Sequence, residues 1–109
     1  MSLLSQEQIQ TLQRYCKEYD VEELFVFGSY GASRANAESD VDLLIKFKDI
    51  SIERYTDNYF TLHSLFVALF HRSVDLVTVN SLFNPYFIEK VNQTKQLLYE
   101  DRDTGQLPH

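Results

Sequence analysis

The residues most able to do chemistry lie between positions 28 and 42, where Gly28-Ser29 is followed by ten residues and then Asp40-Val41-Asp42. The apolar run Leu24-Phe25-Val26-Phe27 ends at the glycine, and the run Val41 to Phe47 carries the second aspartate. Both runs read as strands. Side chains two apart on a strand share a face, so Asp40 and Asp42 stand side by side, roughly 7 Å apart along the backbone, while Val41 turns to the core. Two carboxylates this close repel unless a cation or proton is shared, and an oxygen-only ligand set favours Mg²⁺. Gly28 lets the chain turn sharply and a phosphate approach the backbone. Ser29 then offers its hydroxyl and amide as the cap of a short helix, a place that favours an anion. A third carboxylate, Asp75, sits in the β-branched run Ser73 to Val79, where it could complete a metal site or take a proton from an attacking hydroxyl. Together these are the parts of metal-assisted nucleotidyl transfer.

Each part alone has a plainer reading. Gly-Ser by itself is a strand-to-helix turn, Asp-x-Asp by itself is a solvated turn, and Asp75 by itself is a strand-end carboxylate facing water. An EF-hand loop beginning at Asp40 requires Gly at its sixth position and Glu at its twelfth, but those are Ile45 and Ser51. The glycines are Gly28, Gly31 and Gly105, which excludes both a P-loop and a dinucleotide-binding fingerprint. The combination carries the inference.

The elements that position these residues follow from periodicity. Ser5 and Gln8 form a capping-box pattern ahead of a helix over about 6–19, with Ile9, Leu12, Cys16 and Tyr19 at helical spacing. Asp20 ends it. Strand one covers 24–27 and strand two 41–47, whose unbroken apolar character predicts burial on both faces. Ile52, Tyr55, Tyr59, Leu62, Leu65, Phe66 and Leu69 repeat every three or four residues and predict a long amphipathic helix over 52–70. Strand three covers 73–79. Asn84-Pro85 starts a further helix in N-cap and N1 order with Phe87, Ile88 and Val91 inward, residues 96–100 form a last short strand, and beyond Asp101 a loose tail is expected. This alternation predicts an α/β (α+β) fold, a small mixed sheet flanked by helices.

At 109 residues and 44% hydrophobic, the sequence is read as one domain over 1–109, without room for a second domain to hold a substrate. No apolar run reaches membrane-spanning length and the N-terminus lacks a signal-peptide pattern, so a soluble, unprocessed protein is expected. The single cysteine, Cys16, excludes an internal disulfide, suits a core position and fits a reducing cytoplasm. A formal net charge of -6 with scattered Lys and Arg argues against nucleic acid as the main partner. It is compatible with a nucleotide carried with magnesium, or with a basic protein.

Gly28-Ser29, ten residues and Asp40-Val41-Asp42, with Phe27 before them, Ser39 and Leu43-Leu44 around the aspartates and Val74-Asp75-Leu76-Val77 as the third-carboxylate strand, resemble the minimal nucleotidyltransferases of the DNA polymerase β-like superfamily. Asn84-Pro85-Tyr86-Phe87 and Leu97-Leu98-Tyr99-Glu100 extend the resemblance over about residues 5–100. It implies a nucleotidyltransferase fold with ATP as substrate, Asp40, Asp42 and Asp75 as ligands of two Mg²⁺ ions, and Gly28 and Ser29 on the phosphates. It also implies an antitoxin role, in which AMP is transferred to a tyrosine of a partner HEPN-domain toxin, with homo- or hetero-oligomeric assembly open. Many relatives carry arginine where this chain has Ala32; Arg34 is either its replacement on the phosphates or a surface residue.

Two other readings stand beside this one. A binding-only antitoxin would neutralise its toxin by covering it, although unpaired acids in a pocket give a pure binder nothing. Transfer to a small hydroxyl compound such as an aminoglycoside resembles the same fold, but normally uses an additional acceptor-holding domain. His63 and His71 lack partners at zinc-ligand spacing and read as surface or helix-end residues. Tyr55, Tyr59, Phe60, Phe66 and Phe70 read mostly as core, with part of this helix surface a candidate interface. Lys46, Lys48, Arg54 and Arg72 read by default as solvated charges that could also steer a nucleotide.

Overall fold

The computed structural model describes residues 4–32, 34–36 and 39–101. Its elements run α1 (Gln6–Glu18), β1 (Val21–Phe27), α2 (Gly28–Gly31), β2 (Val41–Phe47), α3 (Ile52–Phe70), β3 (Val74–Thr78), a 3-10 turn (Val79–Ser81), α4 (Pro85–Thr94) and β4 (Gln96–Glu100). The strands form one mixed sheet in the order β3-β2-β1-β4. β1 is antiparallel to both β2 and β4, and β2 is parallel to β3. The expected tail beyond Asp101 lies outside the described residues.

Local chemistry sets the helix boundaries. The Ser5 hydroxyl accepts the Gln8 N–H at 3.0 Å while the Gln8 side chain accepts the Ser5 N–H at 2.9 Å, a complete capping box. Asp20, at φ 64°, turns the chain out of α1 toward the sheet. Ser51 caps α3 by accepting the Arg54 N–H, and His71 ends it in the left-handed conformation. Asn84 accepts the N–H groups of Tyr86 and Phe87, with Pro85 at the first helical position of α4.

The sheet has two unequal faces. Val41, Leu43, Ile45, Leu24, Val26, Val74 and Leu76 point toward α1 and α3, where Leu12, Cys16, Leu62 and Phe66 complete the main core. The opposite face holds a smaller cluster of Phe27, Leu44 and Val91 from β1, β2 and α4. The burial of β2 on both faces agrees with its apolar sequence. β1 starts three residues earlier than its apolar run, because Glu22 lies in the strand and forms an ion pair with Lys46 of β2 at 3.0 Å. Cys16 is fully buried, which pushes its thiol pKa upward. No helix among the described residues is long and apolar enough to cross a membrane.

Candidate active site

Three neighbouring strands carry the candidate residues into line. Phe27, the last residue of β1, pairs with Asp42 of β2, and Asp42 pairs with Asp75 of β3. Asp42 shares a face with Leu44, and Asp75 with Val77, so both carboxylates lie on the less covered face of the sheet. Asp40, exposed, precedes β2 at the end of a loop held by Asn36 and Ser39: the Ser39 hydroxyl accepts the Asn36 N–H at 2.9 Å.

The turn after β1 is shaped around Asp42. Gly28 has φ +65°, and a Cβ there would collide with the Asp42 carboxylate oxygen Oδ2. Glycine is therefore favoured at this position by its backbone conformation, and any side chain there would have to displace the Asp42 carboxylate. The Gly28 N–H donates to the Thr94 hydroxyl of α4 at 2.9 Å, tying the turn to the last turn of that helix. Gly31 approaches the same helix end so closely that a Cβ would run into the Thr94 carbonyl. The expected cap at Ser29 needs correction: α2 begins at Gly28, its N-cap is Phe27 and no side chain caps it. The left-handed glycine starts the turn one residue earlier, leaving Ser29 inside it and exposed. Arg34 is exposed, and its N–H donates to the Ser29 carbonyl at 2.7 Å, which fastens it to the same turn.

Electrostatics single out Asp42. Burial raises its pKa above the usual carboxylate value, and the charges of Asp75 and Asp40 raise it further. Among the described residues no Lys or Arg forms an ion pair with any of the three acids. The lysines and arginines that could have steered a nucleotide are engaged elsewhere, Lys46 with Glu22, Lys48 with Asp101, Arg54 with Asp20 and Arg72 with the Asn36 carbonyl. No group of three or more His, Cys, Asp or Glu side chains among the described residues closes into an ion-binding cage. Magnesium does not require one, since it is commonly held by one or two carboxylates with water and substrate phosphate oxygens as the other ligands. The donor chemistry and the uncompensated negative charge fit that ion.

The strand that bears Asp75 is fixed from outside the sheet. The Ser73 carbonyl faces β2, where it accepts the Val41 N–H at 3.0 Å, so the carbonyls of Val74, Leu76 and Thr78 face the open edge. Each has a side-chain donor: His63 Nε2 reaches the Val74 carbonyl at 2.9 Å, the Tyr59 hydroxyl donates to Leu76 at 2.6 Å, and the Ser81 hydroxyl donates to Thr78 at 2.8 Å. His63 therefore holds the carbonyl before Asp75 and Tyr59 the carbonyl after it. Thr94, Tyr59 and His63 have supporting roles that their sequence positions do not signal, because each reaches its partner across the fold.

The family model for polymerase beta nucleotidyltransferases matches residues 10–104. The chain belongs to that family. Among its relatives, the protein adenylyltransferase MntA of Thermococcus cleftensis is 36% identical over 88 residues, covering 75% of this chain and 85% of the relative. A chain of the toxin–antitoxin complex crystallised with AMP-PNP superimposes with a TM-score of 0.65 at 18% identity, over 93% of this chain and 77% of that one. A chain from the complex of the tri-AMPylated Shewanella oneidensis HEPN toxin with its MNT antitoxin gives a TM-score of 0.62 at 15% identity, over 94% of this chain and 78% of that one. These likenesses establish the nucleotidyltransferase fold, in agreement with the mixed sheet and its flanking helices. The chain is a nucleotidyltransferase by family.

Proposed function

We propose that this chain is an antitoxin that transfers AMP from ATP to a tyrosine hydroxyl of a HEPN-domain toxin, with Mg²⁺ held by Asp40, Asp42 and Asp75. The observation that carries the reading is the register of Phe27, Asp42 and Asp75 across β1, β2 and β3, with Gly28 against the Asp42 carboxylate, in a chain 36% identical to a protein adenylyltransferase. A pure binder has no use for a half-buried acid whose ionisation two neighbouring acids oppose. A cytoplasmic location accompanies this reading, because the donor is ATP and the one cysteine is buried and unpaired.

In this mechanism Gly28, Ser29 and the amides of their turn bind the triphosphate, with Arg34 beside them as a cation for the phosphate oxygens. Asp42, fixed on a central strand, and Asp40, exposed at the loop end, would hold the magnesium ion and through it the α-phosphate. Bound magnesium supplies charge neutralisation at the phosphates and Lewis-acid polarisation of the reacting phosphorus. Asp75 accepts the tyrosine proton as the phenolic oxygen attacks that phosphorus. The new bond joins tyrosine to AMP, and the bond to pyrophosphate breaks.

Intact-mass analysis of a HEPN-domain toxin from the same organism, after incubation with the chain, ATP and magnesium, should show added AMP. Asp42→Asn should abolish it. Unchanged mass with the native chain, or undiminished transfer by Asp42→Asn, would remove the reading.

A further inference from the structure

α3 and β3 border an open groove of about 470 Å³ beside the sheet edge, with Tyr55, Thr56, Tyr59, Phe60, Asp75 and Ser81 among its lining. We infer that this groove receives the acceptor: a hydroxyl-bearing aromatic side chain on a basic, irregular segment of the partner protein. The inference rests on the proposed AMP transfer and specifies where its acceptor binds.

Position is the first argument. Asp75, the residue assigned to take the acceptor proton, is among the residues that line the groove. The groove opens at the β3 edge of the sheet, so a hydroxyl that rounds this edge reaches Asp75 on the face opposite α3, while Gly28 and Ser29 follow β1, two strands away.

The lining chemistry selects a ring. Phe60 is 64% exposed and sits edge-on to Tyr59, with ring centroids 5.3 Å apart. An incoming aromatic side chain can extend this packing, and aromatic pairs of this kind favour offset or edge-to-face contact. Ile52, 74% exposed one helical turn before Thr56, adds apolar surface to the same side of α3.

The closed edge determines how the occupant is held. An unpaired strand edge ordinarily invites another strand. Here His63, Tyr59 and Ser81 already occupy the outward carbonyls of Val74, Leu76 and Thr78. The acceptor segment is therefore gripped through side chains, and a β-strand partner is disfavoured. Charge gives its composition. Glu53 and Asp57 are exposed on the adjoining turns of α3 and form no ion pair among the described residues, while Arg54 of the same stretch is bound to Asp20. Lysine or arginine flanking the acceptor complements that rim.

The test uses the full chain and a fluorescent peptide with one tyrosine flanked by lysine and arginine. Fluorescence anisotropy should show binding by the native chain, and Phe60→Asp and Thr56→Arg should each weaken it by about tenfold or more. Neither residue belongs to the catalytic machinery, so binding of a fluorescent ATP analogue should remain within about twofold of native. Failure of the native chain to bind the peptide, or equal binding by native chain and variants, overturns the groove. Transfer is read separately by peptide mass: peptide bound in the groove but never AMPylated supports the groove and removes the catalytic reading. Transfer with unchanged acceptor KM in both variants does the reverse.

Discussion

A Cβ on residue 28 would occupy the space now held by the carboxylate of Asp42. The sharp turn and the acid are thus neighbours in one steric arrangement: any side chain after Phe27 would have to push the Asp42 carboxylate aside.

Gly28→Ala should accordingly be costly in two ways. Placing alanine in the left-handed region costs about 1–2 kcal/mol, and displacement of Asp42 adds to it. Urea denaturation should show a lower midpoint with little change in slope, and transfer should fall further than the stability loss explains. A variant as stable as the parent would contradict the clash.

Asp42→Asn should separate stability from activity. In the folded chain burial and the charges of Asp75 and Asp40 keep the Asp42 carboxyl above its ordinary 3.8. The folded state therefore retains this proton at pH values where the unfolded chain has released it, so ionised Asp42 lowers stability as pH rises from that ordinary value through the raised one. Without metal, Asp42→Asn should gain melting temperature over the parent across this rise and keep the gain at neutral pH. Transfer should drop by on the order of a thousandfold, consistent with loss of several kcal/mol of transition-state stabilisation. Parallel pH–melting curves for the two proteins would show that Asp42 is not under strain.

Magnesium should relieve the same repulsion. At about one hundred times its dissociation constant, an ion that binds only the folded chain stabilises it by about 2.7 kcal/mol. Thermal melts should therefore shift upward with added magnesium in the parent and fail to shift in Asp40→Asn/Asp42→Asn, and a chelator should stop transfer. An equal shift in the double variant would place the ion elsewhere.

Tyr59→Phe should expose how Asp75 is held. Leaving the Leu76 carbonyl without its partner costs about 1–3 kcal/mol if it stays buried, and less where water replaces the hydroxyl. Amide exchange should accelerate at Asp75 and Val77, whose N–H groups face β2, before it does in β1. His63→Ala should act on the same strand from the Val74 side. Exchange unchanged in both variants would mean that the β2 ladder alone fixes β3.

Much of this architecture is legible in the sequence because the decisive interactions are local. Ser5 with Gln8 and Asn84 with Pro85 announce helix starts within one turn, and the three-to-four-residue spacing from Ile52 to Leu69 marks α3 over its observed length. Two short apolar strands joined by a helix suggest a parallel crossover, but the register that pairs Asp42 with Asp75 is a long-range feature that only the fold reveals. The start of β1 was hidden by Glu22 and Glu23, polar residues accommodated where the pairing register shifts. Ser29 looked like a cap because serine commonly is one, but the left-handed conformation of Gly28 moved the helix start ahead of it. Thr94, Tyr59 and His63 act through long-range hydrogen bonds, which leave no periodic trace.

The parallel pairing of β2 with β3 also bears on when the protein becomes active. β1 and β2 are joined by a modest stretch of chain, whereas Asp42 and Asp75 are separated in sequence by all of α3. Such non-local contacts close late because loop entropy must be overcome before the pairing is rewarded. A chain with only its first hairpin paired still lacks the acid proposed to receive the acceptor proton. On the proposed roles of these residues, catalytic competence depends on completion of the sheet, whereas the turn at Gly28 depends only on the β1–β2 pair and the end of α4.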